Sequence, residues 1–563
     1  MSSSIQNNAF HNAMDESQPT LTKNGAVSNS KPDIGGQEGR LTLFCKSVRN
    51  VNFVFLSKYL EKSAEEDIID TCCLIMHTRD ILNGKGERMV GRYMFQWLLI
   101  NYPKVMDKIY NLIVEYGRWD DILWLFPNKL KLTDLIWVNG NYCSSINNET
   151  LIEAQRVQEN IVNYFVQQLD NDWISVMNYE NNKSEGITEF SEEFSEELSE
   201  ELPKLSLISK WTPTEGTRTD KEFEYVKTIC KEWDIHPKGY RKRVVRMRTI
   251  LNVVEQMCCT NNWDKIDYSR VPSQTMKRLR KAFVKHDSRR FSEWLQSLGK
   301  NANVKINAKT LHPHELVKQY INPSMCYELT NSQNIDPVIE AQWKELENIV
   351  KASGSMEKTI VVTDVSGSMY MTNKHNIRPI DVSIALSLLI ARTSQAPWNN
   401  AVIAFSAEAL FHKIDTKSEK LITMVNSISQ IEQGLNTNFN RVFTNIIERH
   451  HQYKLKPSEH PERIIVISDM QFDQADQNMT NHEAIDKMYK ENNLTRPTII
   501  YWNVSSELDF PVTTRDKNVC MIGGFSPSIL NTLATTREFT PSKIMRDVIE
   551  SKQYDKIRES ITR

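Results

Sequence analysis

Ile360-Val361-Val362-Thr363-Asp364-Val365-Ser366-Gly367-Ser368-Met369 is the stretch that decides the fold class of this 563-residue chain. A run of β-branched residues ends at an aspartate, and two serines follow at alternate positions. A short apolar run without polar alternation predicts a strand buried on both faces, as in a parallel sheet covered by helices. Ligands of such sheets bind outside the carboxyl ends of the strands, so Asp364, Ser366 and Ser368 are expected together on that edge. One carboxylate and two hydroxyls suit a hard cation such as Mg²⁺, which takes six oxygens and keeps several waters. Later loops on the same edge must then add oxygens. Thr437, in Gly434-Leu435-Asn436-Thr437-Asn438-Phe439, and Asp469, after Ile467-Ser468, are placed to do so, with Asp473 as an outer acid. The competing reading is an ordinary turn capped by its own Asp or Ser.

Similar runs recur at Ala401-Val402-Ile403-Ala404-Phe405, Arg463-Ile464-Ile465-Val466-Ile467 and Thr498-Ile499-Ile500-Tyr501-Trp502, separated by helical patterns. Residues 358–563 therefore read as a doubly wound, mostly parallel, Rossmann-like α/β domain. Gly354 and Ser355 lie in a polar hinge, 351–357. Upstream, from 41 to 350, apolar residues fall at helical spacing, as in Met94, Trp97 and Leu98 and then Val105, Ile109, Leu112 and Ile113. This half is expected to be α-helical, with HEAT-like repeats suggested by the echo of Trp119-Asp120-Asp121-Ile122 in Trp263-Asp264-Lys265-Ile266. The class is thus α plus α/β. Residues 1–40, rich in Ser, Asn and Gln, read as a disordered leader.

The formal net charge of −2 argues against a uniformly basic nucleic-acid binder, but it averages unlike regions. Arg241 to Arg290 holds 14 Lys and Arg against 4 acids, a charge of +10. Glu180 to Leu202 carries −8, within an acidic insertion spanning 180–203. Phe190, Phe194, Leu198 and Leu202 recur there every four residues, which suits either a solvated low-complexity segment or an amphipathic acidic helix that covers the basic window. Tyr240, Trp263, Tyr268 and Phe283 lie among the basic residues, as base-stacking groups or as the core of helices with basic outer faces. RNA contacts are accordingly expected from Arg241, Lys242, Arg243, Arg246, Arg248, Lys277, Arg278, Arg280, Lys281, Arg289 and Arg290.

Nine cysteines without a C-x-x-C pair read as reduced intracellular thiols. No stretch approaches the roughly 18 apolar residues of a spanning helix, and no signal peptide is evident. A cytoplasmic protein without membrane contact is expected. Phosphate-loop, zinc-protease and nucleophile-elbow motifs are absent, and the second acid of an aspartate-nucleophile phosphatase is replaced by Ser366.

The DVSGSM segment, the Thr437 loop and the Asp469 loop, in that order, resemble the metal-ion-dependent adhesion site of von Willebrand factor A domains. The resemblance implies direct coordination by Ser366, Ser368 and Thr437, with Asp364 and Asp469 direct or through water, and an open position for a partner's Glu or Asp. Many such domains have Asp-Gly where this chain has Asp469-Met470. His77-Thr78-Arg79-Asp80, Gly84-Lys85-Gly86-Glu87-Arg88, Tyr116-Gly117-Arg118-Trp119-Asp120-Asp121, Trp263 to Tyr268, Lys305-Ile306-Asn307-Ala308 and Ser468 to Asp473 resemble signatures of the domain of unknown function 2828 family, from about Leu41 to the C-terminus excluding the acidic insertion. A helical half followed by an A domain is similar to the Ro ribonucleoprotein autoantigens, a TROVE module plus A domain, which bind small RNAs. The expected protein is a monomeric, non-enzymatic binder that takes an acidic protein ligand at the cation and a small structured RNA on the helical half. Protein binding alone and Mg²⁺-dependent hydrolysis are the alternatives. If a large DNA virus encodes it, the virion is a further location.

Overall fold

A computed structural model of the chain describes residues 19–21, 27–29, 38–49, 51–130, 132, 148–189, 202–321, 335–352, 354, 356, 358–370, 377–405, 409–415, 419–429, 439–456, 459–470, 481–505, 517–536 and 539–563. Within the stretch expected as a leader, strands β1 (Pro19–Leu21) and β2 (Val27–Asn29) form an antiparallel ribbon. A helix, Glu38–Lys46, begins before residue 41, and its Leu41, Leu43 and Phe44 are fully or almost fully buried. The chain packs as two compact units. One contains Met1–Val90, Pro272–Arg278 and Leu295–Lys556, and the other Gly91–Val271, Leu279–Trp294 and Ile557–Arg563. The grouping follows packing; residues 351 and 352, expected in a hinge, end the helix Pro337–Ala352.

The first unit is built on β3 (Thr359–Asp364), β4 (Ala401–Phe405), β5 (Ala409–Lys413), β6 (Arg463–Ser468), β7 (Thr498–Asn503) and β8 (Val519–Gly523). The strand order is β5-β4-β3-β6-β7-β8, parallel throughout except for the antiparallel edge strand β5. Every residue of β3 is buried, as its unalternated β-branched sequence requires.

Register shows how both faces are covered. Thr363, Ile467 and Trp502 are level across β3, β6 and β7, so they share one face. The helix Pro379–Thr393 lies on that face, where Ser387 Oγ accepts from Thr363 Oγ1 (2.6 Å). Tyr501 points the other way, against Phe439 and His482 of the helices Phe439–Tyr453 and Asn481–Glu491. Pro379–Thr393 is apolar nearly all round because it is buried on both sides. The helix Pro337–Ala352 covers its outer side through Glu347, which accepts from Arg392 Nε (3.1 Å) and Trp343 Nε1 (2.9 Å). Glu340 of the same helix accepts from the first amides of Leu421–Ser429 (Leu421 N, 2.6 Å), satisfying donors that a helix start leaves open.

The N-terminal helices dock on the far edge of this sheet, which explains the Gly-Lys-Gly-Glu-Arg signature. Lys85 Nζ donates to Phe44 O and to Ser47 Oγ (3.1 Å), capping the carboxyl end of Glu38–Lys46 with a positive charge. A Cβ on Gly84 would collide with His77 O, and one on Gly523 with Cys45 O, so glycine permits both close approaches.

The second unit is helical. Its 42-residue helix Asn148–Glu189 buries Ala154, Val157, Ile161, Phe165 and Leu169 against Pro103–Ile109, Tyr225–Glu232 and Pro237–Ile250. The Trp-Asp-Asp signature is a buried polar joint there. Asp121 accepts from Arg92 Nε (2.5 Å) and Arg118 N (2.9 Å), while Asp120 pairs with Arg92 at 2.6 Å. The described cysteines are all free thiols. Among the described residues, no helix is long and apolar enough to cross a membrane.

Candidate metal centre and basic face

Strand β3 delivers Asp364 to the carboxyl edge of the sheet, and the chain turns at once into a short helical turn, Gly367–Tyr370. Asp364 Oδ1 accepts from Ser366 N (2.9 Å), closing a tight Asx turn, and Oδ2 accepts from Ser468 Oγ (2.6 Å). Parallel pairing of Thr363 with Ile467 makes Asp364 level with Ser468 and brings Asp469 to the same edge. Ser366 Oγ and Ser368 Oγ lie 3.2 Å apart. Asp364 and Ser366 are buried and Asp469 is only 5% exposed.

Met470 has φ +66°, the left-handed conformation in which glycine costs least. The left-handed turn after Asp469 is thus made by a methionine whose side chain is buried. Its amide donates to Ser468 Oγ (2.9 Å), which orients that hydroxyl toward Asp364. Ser468 is the site residue that motif spacing missed; a lone polar residue ending the apolar run Ile464 to Ile467 was the available signal. Thr437 and Asp473 lie outside the described residues.

Burial, and then repulsion from Asp469, hold the Asp364 carboxyl well above the usual carboxylate range. Two acids crowded in a dry site are relieved by a cation, and neighbouring oxygens on an octahedral Mg²⁺ stand about 3 Å apart, close to the serine spacing. The donor set therefore fits a hard divalent ion. Among the described residues no group of three or more His, Cys, Asp and Glu could hold a metal.

The basic window is partly structural. Arg248 donates to Ser209 O (2.8 Å) and Thr212 O (2.6 Å), and Arg290 to Ile266 O (2.7 Å). Arg241 pairs with Glu215 (2.7 Å), Arg246 with Glu180, Lys277 with Glu315 (3.2 Å) and Arg289 with Glu293 (3.0 Å). Arg243 lies over Trp233 and Trp173. Arg278 and Arg280 also have interactions within the protein. Lys242 and Lys281, and Lys285 beyond the expected set, are exposed. Tyr240, Tyr268 and Phe283 are buried, so three of the four aromatics are core and unavailable for base stacking. Trp263 is half-buried and stacked on His286. Glu180 to Glu189 continue the long helix, whereas residues 190–201 of the acidic insertion lie outside the described residues.

Residues 233–356 match the family model Domain of unknown function (DUF2828), and residues 358–562 match Domain of unknown function (DUF7788). The chain carries both domains. The expected DUF2828 match from Leu41 to the C-terminus is thereby narrowed, because the A-domain-like part belongs to a family model of its own. DUF7788 encloses Asp364, Ser366, Ser368, Thr437 and Asp469, and DUF2828 encloses the whole basic window. The signatures between His77 and Asp121 precede both. An uncharacterized protein of Acanthamoeba polyphaga mimivirus is 27% identical over 512 residues, 87% of this chain and 80% of that protein. The crystal structure of the Deinococcus radiodurans Ro (RSR) protein aligns with 91% of this chain and 99% of its own, at 11% identity and a TM-score of 0.39.

Proposed function

We propose that the chain is a binding protein whose DUF7788 region holds a divalent cation, Mg²⁺ by chemistry, and through it an acidic side chain of a protein partner. The observation that carries this reading is the convergence of Asp364, Ser366, Ser368 and Asp469 at one sheet edge, with two hydroxyls at ligand spacing. Neutral hydroxyls neutralise little of the ion's charge, which leaves it able to attract an external carboxylate. Thr437 would add a further hydroxyl. Binding rather than turnover is favoured because the described neighbours of Asp364 are serines and an acid, with no lysine or histidine hydrogen-bonded to it. Capture of partners by the intact protein in Mg²⁺ and in EDTA tests the reading. Proteins retained only in Mg²⁺, and lost with Asp364→Ala, are expected; retention indifferent to both defeats it.

RNA binding on the DUF2828 region is the second reading, supported by the exposed cations Lys242, Lys281 and Lys285. The arginines that brace the fold are poor probes of it, since replacing them disturbs structure. Reversing the three lysines to Glu is expected to weaken RNA binding at least tenfold near 50 mM salt and to flatten its salt dependence, each lost phosphate contact removing about 0.7 to 0.9 from the log–log slope. RNA retention that ignores both salt and the triple reversal would leave protein binding alone. Glu180, the first acid of the insertion, pairs with Arg246 of the basic helix.

A further inference from the structure

Three imidazoles gather where the N-terminal segment meets the far edge of the sheet, all within the first unit. His77, on the helix Ile68–Arg79, is buried between Phe44 and Tyr554. His314 is buried, stacked on His312 and edge-on to Phe525. His312 bridges Arg49 and the carbonyl of Phe525.

Hydrogen bonding commits His312 and His77 to their neutral forms. The Arg49 guanidinium can only donate, so His312 Nε2 (3.3 Å) must accept, and its proton sits on Nδ1, donated to Phe525 O (3.2 Å). A second proton would set N–H against N–H. Tyr554 OH faces Asp80 Oδ2 (3.3 Å) and His77 Nδ1 (3.1 Å), an arrangement in which the tyrosine donates to the acid and accepts from the ring. Among the described residues, His77 Nε2 then has no partner, and neither does His314 Nδ1. A proton added at His77 Nε2 would be a buried charge without an acceptor.

The charged groups around the rings reinforce this. His77 faces Lys85, and Asp80 only through Tyr554. His312 faces Arg49, Glu87 and Glu315, and His314 faces His312, Arg49, Lys277 and Lys318. Of the acids, Glu87 is paired with Arg49 (3.1 Å), and Glu315 with Lys277 (3.2 Å) and Gln274 (2.7 Å).

We propose that this seam is an acid-labile latch: proton uptake by His77, His312 and His314 releases the segment 38–90 from Phe525 and Tyr554 while the helical unit stays folded. Burial, reinforced by the neighbouring cations, pushes His77 down to about 3, His312 below the ordinary histidine range and His314 well below it. For a base whose folded pKa is depressed, the neutral seam is fully stable above the unfolded value of about 6.5 and loses stability as pH falls from there toward the folded value. Each ring that can be protonated only when the seam opens multiplies the opening constant by about 30 at pH 5.

Hydrogen exchange on the intact protein at pH 7.5 and 5.0, corrected for intrinsic rates, tests the latch. Amides of 41–49, 68–79 and 519–525 are expected to lose at least about 30-fold of their protection at pH 5. Those of 151–180 should keep theirs, and His77→Gln with His312→Gln and His314→Gln should abolish the difference. Should the triple variant fold poorly, His312→Gln alone is expected to reduce the pH effect measurably. Unchanged seam protection at pH 5, an equal loss in 151–180, or an undiminished loss in the folded variants would overturn the proposal.

Discussion

Asp364→Asn is expected to raise the melting temperature of the metal-free protein and to abolish any increment that Mg²⁺ adds. Desolvation and the nearby Asp469 push Asp364 up to about 7, so the metal-free fold favours the protonated acid. For an acid with a raised pKa, the sign is clear: stability is lost as pH rises from the unfolded value near 3.9 through the folded one. At pH 8 an amide that needs no ionisation should recover on the order of 2 to 4 kcal/mol. The carboxamide oxygen of this variant can still accept from Ser366 N, so the turn survives. Mg²⁺ added to the unaltered protein acts in the same direction, by about 2.7 kcal/mol at a hundredfold excess over Kd, and more at pH 8 than at pH 6, where protons compete. Thermal melts of both proteins, with Mg²⁺ and with EDTA at the two pH values, read all of this. A Mg²⁺ increment that persists in Asp364→Asn, or one larger at pH 6, would sink the metal assignment.

The largest purely structural effect is expected from Asp121→Ala, at about 3 to 5 kcal/mol. Asp121 is fully buried, and its carboxylate is shared between Arg92 Nε and the amide of Arg118. Removing it leaves a buried guanidinium short of a counter-charge and an amide without its cap. Asp120→Ala is the comparison, since Arg92 keeps Asp121 and the amide of Arg118 keeps its cap; a smaller cost of about 1.5 to 3 kcal/mol is expected. Denaturant unfolding of the two variants separates these cases. Equal costs would mean that Arg92 is held mainly by its stacking over Trp124.

The legible strands were those whose chemistry is local. β3, β4, β6 and β7 appear almost to the residue where β-branched runs predict them, because burial on both faces leaves few residue types to choose from. β8, with the sequence Val-Cys-Met-Ile-Gly, and the half-exposed edge strand β5 were missed, since neither carries such a run. At the candidate site, the Asp-x-Ser-x-Ser spacing located Asp364, Ser366 and Ser368. Asp469 followed from its place after the next apolar strand. Ser468 did not, because its role depends on strand register.

The basic window shows the opposite limit. Counting charge along the chain could not separate Arg248 and Arg290, which hold backbone carbonyls, from Lys242 and Lys281, which face solvent. Nor could spacing tell that Tyr240, Tyr268 and Phe283 point inward.

Sequence by itself determined the helical half, the parallel sheet and the acid-and-hydroxyl motif at its edge, because periodicity and a strand-end motif are properties of neighbouring residues. Tertiary structure alone decided that the signature from His77 to Arg88 is a docking seam for the sheet's far edge. Its partners include Ser528, which donates to Gly84 O, and Tyr554, which meets His77 and Asp80. Both lie more than 400 residues away along the chain, and only packing brings them within hydrogen-bonding reach.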